Sequence, residues 1–201
     1  MEEIAFDDQG LAPCVMQDAR TGEVLTLAYM NAEALARTRA TGEVHFFSRS
    51  RGELWRKGET SGNVMRVRAL RYDCDADALL ALVDPAGPAC HTGERTCFYR
   101  GEMELQSSEA LPALERTIAE RSSASPDDSY TARLLADPTS IGDKVREEAG
   151  EVADAGAGES DERVREEAAD LLYHLAVLMR SRGLSLADAA DVLNARRAEA
   201  P

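Results

Sequence analysis

The chain has 201 residues, 23 Lys+Arg against 37 Asp+Glu for a formal net charge of -14, and 44% hydrophobic residues. That balance excludes a broad electrostatic footprint for nucleic acid. No apolar run approaches the roughly 18 residues of a membrane span, and the length admits one large or two small domains. The acidic start Met1-Glu2-Glu3 lacks the basic region of an export signal. A soluble cytoplasmic protein is expected, in which four cysteines serve as ligands or free thiols rather than disulfides. Cys14, outside any metal-like spacing, reads as a buried thiol.

In chain order, residues 24–30 read as a strand, Asn31 as the cap of a helix that Gly42 ends, and 44–48 as a second strand. Arg49, Arg51, Arg56, Lys57, Arg66, Arg68 and Arg71 then crowd together, opposed only by Glu53 and Glu59. A basic pocket in an acidic protein suits a small anion. Within it, Leu54-Trp55-Arg56-Lys57-Gly58-Glu59-Thr60-Ser61-Gly62-Asn63 reads as a loop of glycines, hydroxyls and cations. It can bring N–H groups and positive charge to a phosphate, or it is an ordinary polar hairpin connection. Residues 64–72 form the next strand, 79–83 a buried strand or short helix closed by Asp84-Pro85-Ala86-Gly87-Pro88, and Cys97 starts a last strand.

Between these lies Asp73-Cys74-Asp75-Ala76-Asp77 and, further on, Cys90-His91-Thr92-Gly93-Glu94-Arg95-Thr96-Cys97. On a strand, Asp73, Asp75 and Asp77 would share one face and Cys74 the other. Oxygen ligands suit Mg²⁺ and thiolates suit Zn²⁺, so two metal sites are expected to meet here. Cys74, Cys90 and Cys97 make three sulfur ligands, and the fourth zinc position falls either to water, as in a catalytic site, or to His91. A structural zinc knuckle beside a solvated acidic turn is the competing reading. Beside an open zinc position, His91 is a candidate to take the proton of the bound water.

After Gln106 the hydrophobic period changes from two to 3.6. Leu111, Leu114 and Ile118 mark one helical face, and 122–129 a loop. A helix over 141–155 follows, with Ile141, Val145, Ala149 and Val152 inward, and Gly156 and Gly158 breaking it. A longer helix spans 161–182, stopped by Gly183, and a final one runs from Ser185 to Arg197. Glu148-x-x-Glu151, with Glu147 adjacent, and Glu167-x-x-Asp170 each place two acids on one face beside the apolar stripe. Such residues are either bundle metal ligands or a solvated face with ion pairs, such as Lys144 to Glu148 or Asp170 to His174. Small neighbours at Ala149, Gly150, Ala168 and Ala169 would let two helices close around an ion.

The motifs Leu54-Trp55-x-Lys57-Gly58-Glu59-Thr60-Ser61-Gly62-Asn63, Asp73-Cys74-Asp75-x-Asp77 and Cys90-His91-Thr92-Gly93-x-x-x-Cys97 resemble those of phosphoribosyl-AMP cyclohydrolase, over roughly residues 14–104. The resemblance implies Mg²⁺ on Asp73, Asp75 and Asp77. It also implies Zn²⁺ on Cys74, Cys90 and Cys97, assembled across a homodimer interface, and hydrolysis of the adenine N1–C6 bond. Trp55, Lys57, Glu59, Thr60, Ser61, Gly62 and Asn63 are then the candidate substrate-binding residues. Residues 111–197, with Glu-x-x-Glu and Glu-x-x-Asp, resemble phosphoribosyl-ATP pyrophosphatase. Here the resemblance implies Mg²⁺ on Glu148, Glu151, Glu167 and Asp170, with Glu147 a further ligand. The expected protein is α+β: a β-rich cyclohydrolase domain over 1–105, then an all-α pyrophosphohydrolase bundle over 106–201. It would convert phosphoribosyl-ATP to phosphoribosyl-AMP and then open the ring. The alternative is a helical nucleotide-pool pyrophosphohydrolase carrying a zinc-stabilised binding module.

Overall fold

Burial alternates strictly along β1, Ala12–Asp18, with Ala12, Cys14, Met16 and Asp18 inward, the pattern of a strand with one face on a core. This computed structural model describes residues 4–102 and 104–199, so the acidic start Met1-Glu2-Glu3 lies outside them. The chain forms two compact units, Met1–Glu104 and Leu105–Pro201. Among the described residues no helix is long and apolar enough to cross a membrane.

In the first unit β1 lies inside a four-stranded sheet of order β2-β1-β6-β5. β2 is Val24–Met30, β5 Met65–Tyr72 and β6 Leu79–Pro85. β1 runs antiparallel to β2 and parallel to β6. β1 is a strand beyond those expected from the sequence, and it holds Pro13, opposite Tyr29 of β2. The structure accommodates it because pairing with β6 begins at Cys14, one residue beyond the proline. Helix α1, Ala32–Thr41, starts where the Asn31 side chain accepts the Ala34 N–H and ends at left-handed Gly42. β3, His45–Ser48, and β4, Glu53–Arg56, form a separate hairpin that pairs Phe46 with Trp55 and Phe47 with Leu54. Leu54 to Arg56 are therefore strand rather than loop, since an aromatic cross-strand pair favours the ladder. Met16, Leu25, Met30, Val44, Met65 and Val83 fill the core.

Two other expectations are corrected. Residues 73–77 form the turn between β5 and β6 rather than a strand. The Asp73 carboxylate accepts the N–H groups of Asp77 at 3.0 Å and Ala78 at 3.1 Å, and Ala76 takes a positive φ of 61°. Such local bonding replaces ladder bonds. Nor does Cys97 start a strand: its N–H reaches the Leu25 carbonyl at 2.8 Å, and the residues from 98 to 102 are irregular.

The second unit is helical among its described residues: α2 Ala110–Arg121, α3 Tyr130–Ala136, α4 Pro138–Gly158, α5 Asp161–Ser181 and α6 Leu186–Glu199. α3 is too short to show a helical period and was not expected. α4 starts earlier than the apolar pattern, because Asp137 caps Thr139 and Ser140 and proline sits in the first turn. It also runs through Gly156 to Gly158. Each glycine costs a helix about 1 kcal/mol, too little to stop one still anchored by buried Ala155. Ala149, expected inward, is exposed, and Glu148 is buried in its place. Ile118, Leu134, Ile141, Ala176 and Val177 form the core.

Candidate metal centres and an adjoining cavity

The 73–77 turn brings carboxylate oxygens of Asp73, Asp75 and Asp77 within 4.8 Å of one another, all exposed. A different local structure thus achieves the cluster expected of a strand. The backbone N–H of Ala78 holds the Asp73 carboxyl below its ordinary range. Repulsion from Asp75 and then Asp73 pushes Asp77 above it. Three hard oxygens under mutual repulsion fit a divalent cation such as Mg²⁺.

Cys90 and Cys97 lie on one loop, which is fastened at several points. Thr96 Oγ1 donates to the Val24 carbonyl at 2.7 Å. Arg95 donates to Asp18 and Glu23, both at 2.7 Å. The Cys90 N–H meets the Glu94 carbonyl at 3.0 Å. The Thr92 hydroxyl, 3.1 Å from Cys90 Sγ, lowers that thiol's pKa, whereas burial raises that of Cys97. Burial lowers the pKa of Lys57, and the charges of Cys97 and Cys90 oppose it, so this cation stands by both thiols. Two such sulfur ligands on one loop fit a soft metal such as Zn²⁺. Cys74 is exposed next to Asp75, 3.9 Å from its carboxylate, and within one chain the three sulfurs form no common cluster.

A cavity of about 670 Å³ adjoins the thiol loop. Its lining includes Tyr29, Phe46, Ser48, Arg49, Trp55 and His91. His91 is exposed, with Nδ1 3.8 Å from Cys90 Sγ. Of the expected substrate-binding residues only Trp55 lines this cavity. Lys57 is buried with Nζ 5.8 Å from the Trp55 ring, and Glu59 accepts the Arg56 N–H at 3.3 Å. Thr60, Ser61 and Gly62 form an exposed turn, closed by the Gly62 N–H on the Gly58 carbonyl at 2.8 Å. Gly58 has φ 83°, and a Cβ there would stand 2.4 Å from the Asn63 carbonyl carbon. Asn63 in turn fills the space a side chain at Gly87 would need.

In the second unit Glu148, Glu151 and Glu167 bring carboxylate oxygens within 4.8 Å of one another. Glu148 is 7% and Glu167 2% exposed. A hydrogen bond with Glu151, then burial, raises the Glu167 pKa, and Arg163 contacts the same carboxylate. Buried acids with so little positive charge beside them fit a divalent cation. Asp170 stands apart: its side chain is exposed and outside the group, while its backbone carbonyl bonds His174 Nδ1 at 3.0 Å. Glu147 is exposed and paired with Lys144 at 2.7 Å. His174, expected only as an ion-pair partner of Asp170, belongs to this site. It is buried, 3.4 Å from Glu148, with Nε2 3.2 Å from the Tyr130 hydroxyl. Its spacing of seven from Glu167, two turns along the same face of α5, was the available signal.

The phosphoribosyl-AMP cyclohydrolase family model matches residues 26–99, and the phosphoribosyl-ATP pyrophosphohydrolase model matches residues 111–197. A histidine biosynthesis bifunctional protein HisIE of Bacillus subtilis is 50% identical over 202 residues, covering 98% of this chain and 97% of its own. HisIE of Thermus thermophilus is 50% identical over 196 residues, covering 96% and 92%. That of Xanthomonas campestris is 51% identical over 188 residues, covering 93% and 89%. Matched by both family models in sequence and by such relatives along nearly all of its length, this chain belongs to the bifunctional HisIE family of histidine biosynthesis, hydrolases that join a phosphoribosyl-AMP cyclohydrolase to a phosphoribosyl-ATP pyrophosphohydrolase.

Proposed function

We propose that the two activities are divided between residues 106–201, which release pyrophosphate from phosphoribosyl-ATP, and residues 1–105, which open the adenine ring of the resulting phosphoribosyl-AMP at N1–C6. The protein works in the cytoplasm as a homodimer. Cys90 and Cys97 of one copy and Cys74 of another hold Zn²⁺; a thiol pair on one loop and a third thiol exposed on another turn support that division. Zinc, when bound, supplies hydroxide at neutral pH by lowering the pKa of water from about 16 to about 7. His91 at the cavity edge accepts the proton. Trp55 provides a face for the base, while Lys57 contributes charge beside the thiols. Glu59, Thr60, Ser61, Gly62 and Asn63 shape the neighbouring turn toward substrate.

Asp73, Asp75 and Asp77 hold Mg²⁺. In the C-terminal domain Glu148, Glu151 and Glu167 hold Mg²⁺, and Asp170 and Glu147 complete the set when their exposed side chains turn inward. Mg²⁺ held by these carboxylates would offset their charge toward a polyphosphate and supply Lewis acidity at the anhydride. Glu148 is held for this role by His174.

The observation carrying the reading is that His91, next to Cys90 on the thiol loop, lines an aromatic, cation-bearing cavity. Purified protein supplied with phosphoribosyl-ATP, Mg²⁺ and Zn²⁺ releases pyrophosphate and then shows the absorbance change of ring opening. Cys97→Ala abolishes the second signal and spares the first; Glu148→Ala abolishes both, and added phosphoribosyl-AMP restores the second. Ring opening by Cys97→Ala at the wild-type rate refutes the assignment.

A further inference from the structure

Among the described residues of this strongly acidic chain, Arg49 is a cation without a carboxylate. Its neighbours are paired, Arg51 with Glu53 at 2.8 Å and Arg56 with Glu43 at 2.9 Å. Among the described residues Arg49 has neither an ion-pair partner nor a hydrogen-bond acceptor. Its guanidinium carbon instead lies 3.8 Å from the centroid of the Tyr29 ring. Stacking uses the flat face of the guanidinium and leaves its five in-plane N–H donors available, the geometry that grips a phosphate in a fork. The residue belongs to the tight 48–52 turn, closed by the Gly52 N–H on the Ser48 carbonyl at 2.8 Å, with Gly52 at a φ of 68°. The turn also places the Ser48 and Ser50 hydroxyls 3.5 Å apart.

All three residues line the cavity described above, whose wall carries Phe46 and Trp55 with ring centroids 5.9 Å apart. Phe46 is buried and backs Trp55, whose half-buried ring offers a purine a place to stack, and a phosphomonoester has unused donors nearby. We propose that Ser48, Arg49 and Ser50 form the phosphomonoester subsite of the N-terminal domain, anchoring the nucleotide while its base stacks on half-buried Trp55, which Phe46 backs from the core, near His91. This rests on the cyclohydrolase reading for the identity of the nucleotide. The recognition itself requires only an aromatic base carrying a phosphate.

Calorimetric titration of the full chain with AMP, adenosine and inorganic phosphate separates the parts. Arg49→Gln weakens AMP binding about 10- to 100-fold, the loss expected for hydrogen bonds between charged groups, and leaves adenosine within about twofold. Arg49→Lys keeps the charge without the fork and falls between. Inorganic phosphate competes with AMP in the wild type and loses that competition in Arg49→Gln. With phosphoribosyl-AMP as substrate, Arg49→Gln raises KM by a factor similar to its effect on AMP, with a smaller change in kcat. Unchanged AMP affinity, or adenosine weakened as much as AMP, overturns the proposal. If the wild type fails to open the ring yet Arg49→Gln still separates AMP from adenosine, the subsite stands and the cyclohydrolase reading falls.

Discussion

Replacing Arg95 with alanine tests how the thiol loop is held. Arg95 bonds Asp18 and Glu23 at 2.7 Å each, tying the loop that carries Cys90 and Cys97 to β1 and the turn after it. Hydrogen bonds between ionised groups contribute about 1.5–3 kcal/mol apiece. Arg95 is 38% exposed, and solvent screens its side of the pair. Asp18 is 6% exposed but keeps the N–H groups of Arg20 at 2.9 Å and Thr21 at 3.1 Å, so its carboxylate is not orphaned. Discounting for both leaves a loss of about 2 kcal/mol for the whole substitution. Trp55 is the only tryptophan and lies in this unit, so its fluorescence during urea unfolding reports the change. With a slope of about 2 kcal/mol per M, the midpoint falls by about 1 M. Zinc transfer to a chromophoric chelator should accelerate about tenfold or more, as when a metal ligand's supporting partner is removed. An unchanged midpoint with unchanged zinc retention would refute the reasoning.

Further expectations concern both units. Tyr130→Phe removes the hydroxyl 3.2 Å from His174. Loss of one such bond, about 1 kcal/mol, slows pyrophosphate release about fivefold while ring opening from phosphoribosyl-AMP is unaffected; equal loss of both rates contradicts a local role. Burial pushes the Cys14 thiol from 9.0 to about 12. The unfolded chain therefore loses this proton near pH 9 while the folded chain keeps it. The contribution is intact below pH 9 and is lost as pH rises toward 12, at about 1.4 kcal/mol per pH unit. Urea midpoints at pH 8 and pH 10 should draw apart more in the wild type than in Cys14→Ala, and identical differences would contradict the assignment.

Local signals made much of this molecule legible in its sequence. Asn31 and Gly42 mark the ends of α1, and the change of hydrophobic period after Gln106 marks the helical half. Patterning failed where longer-range pairing decides. β1 carries a proline that lies one residue before its pairing with β6 begins, and Trp55 joins a strand because Phe46 lies opposite. The acidic clusters were visible as spacings, yet for the 73–77 group the reason was a carboxylate-stabilised turn rather than strand alternation. Asp170 was matched by motif, but its exposed carboxylate is not among the three glutamates that gather. The Tyr130 contact with His174 spans 44 residues and depends on α3, which no period announces. Cys74 shows the same limit: spacing groups it with Cys90 and Cys97, whereas one chain does not bring the three sulfurs together.

That separation supplies the most direct measurement. Cys74→Ala and Cys97→Ala, each expected to be inactive in ring opening alone, are unfolded together, refolded with Zn²⁺ and assayed on phosphoribosyl-AMP. If the site joins Cys74 of one copy to Cys90 and Cys97 of another in a twofold dimer, half of the dimers are mixed and each restores one of its two sites. Activity then recovers to about a quarter of wild type. A mixture that stays inactive would contradict the shared site.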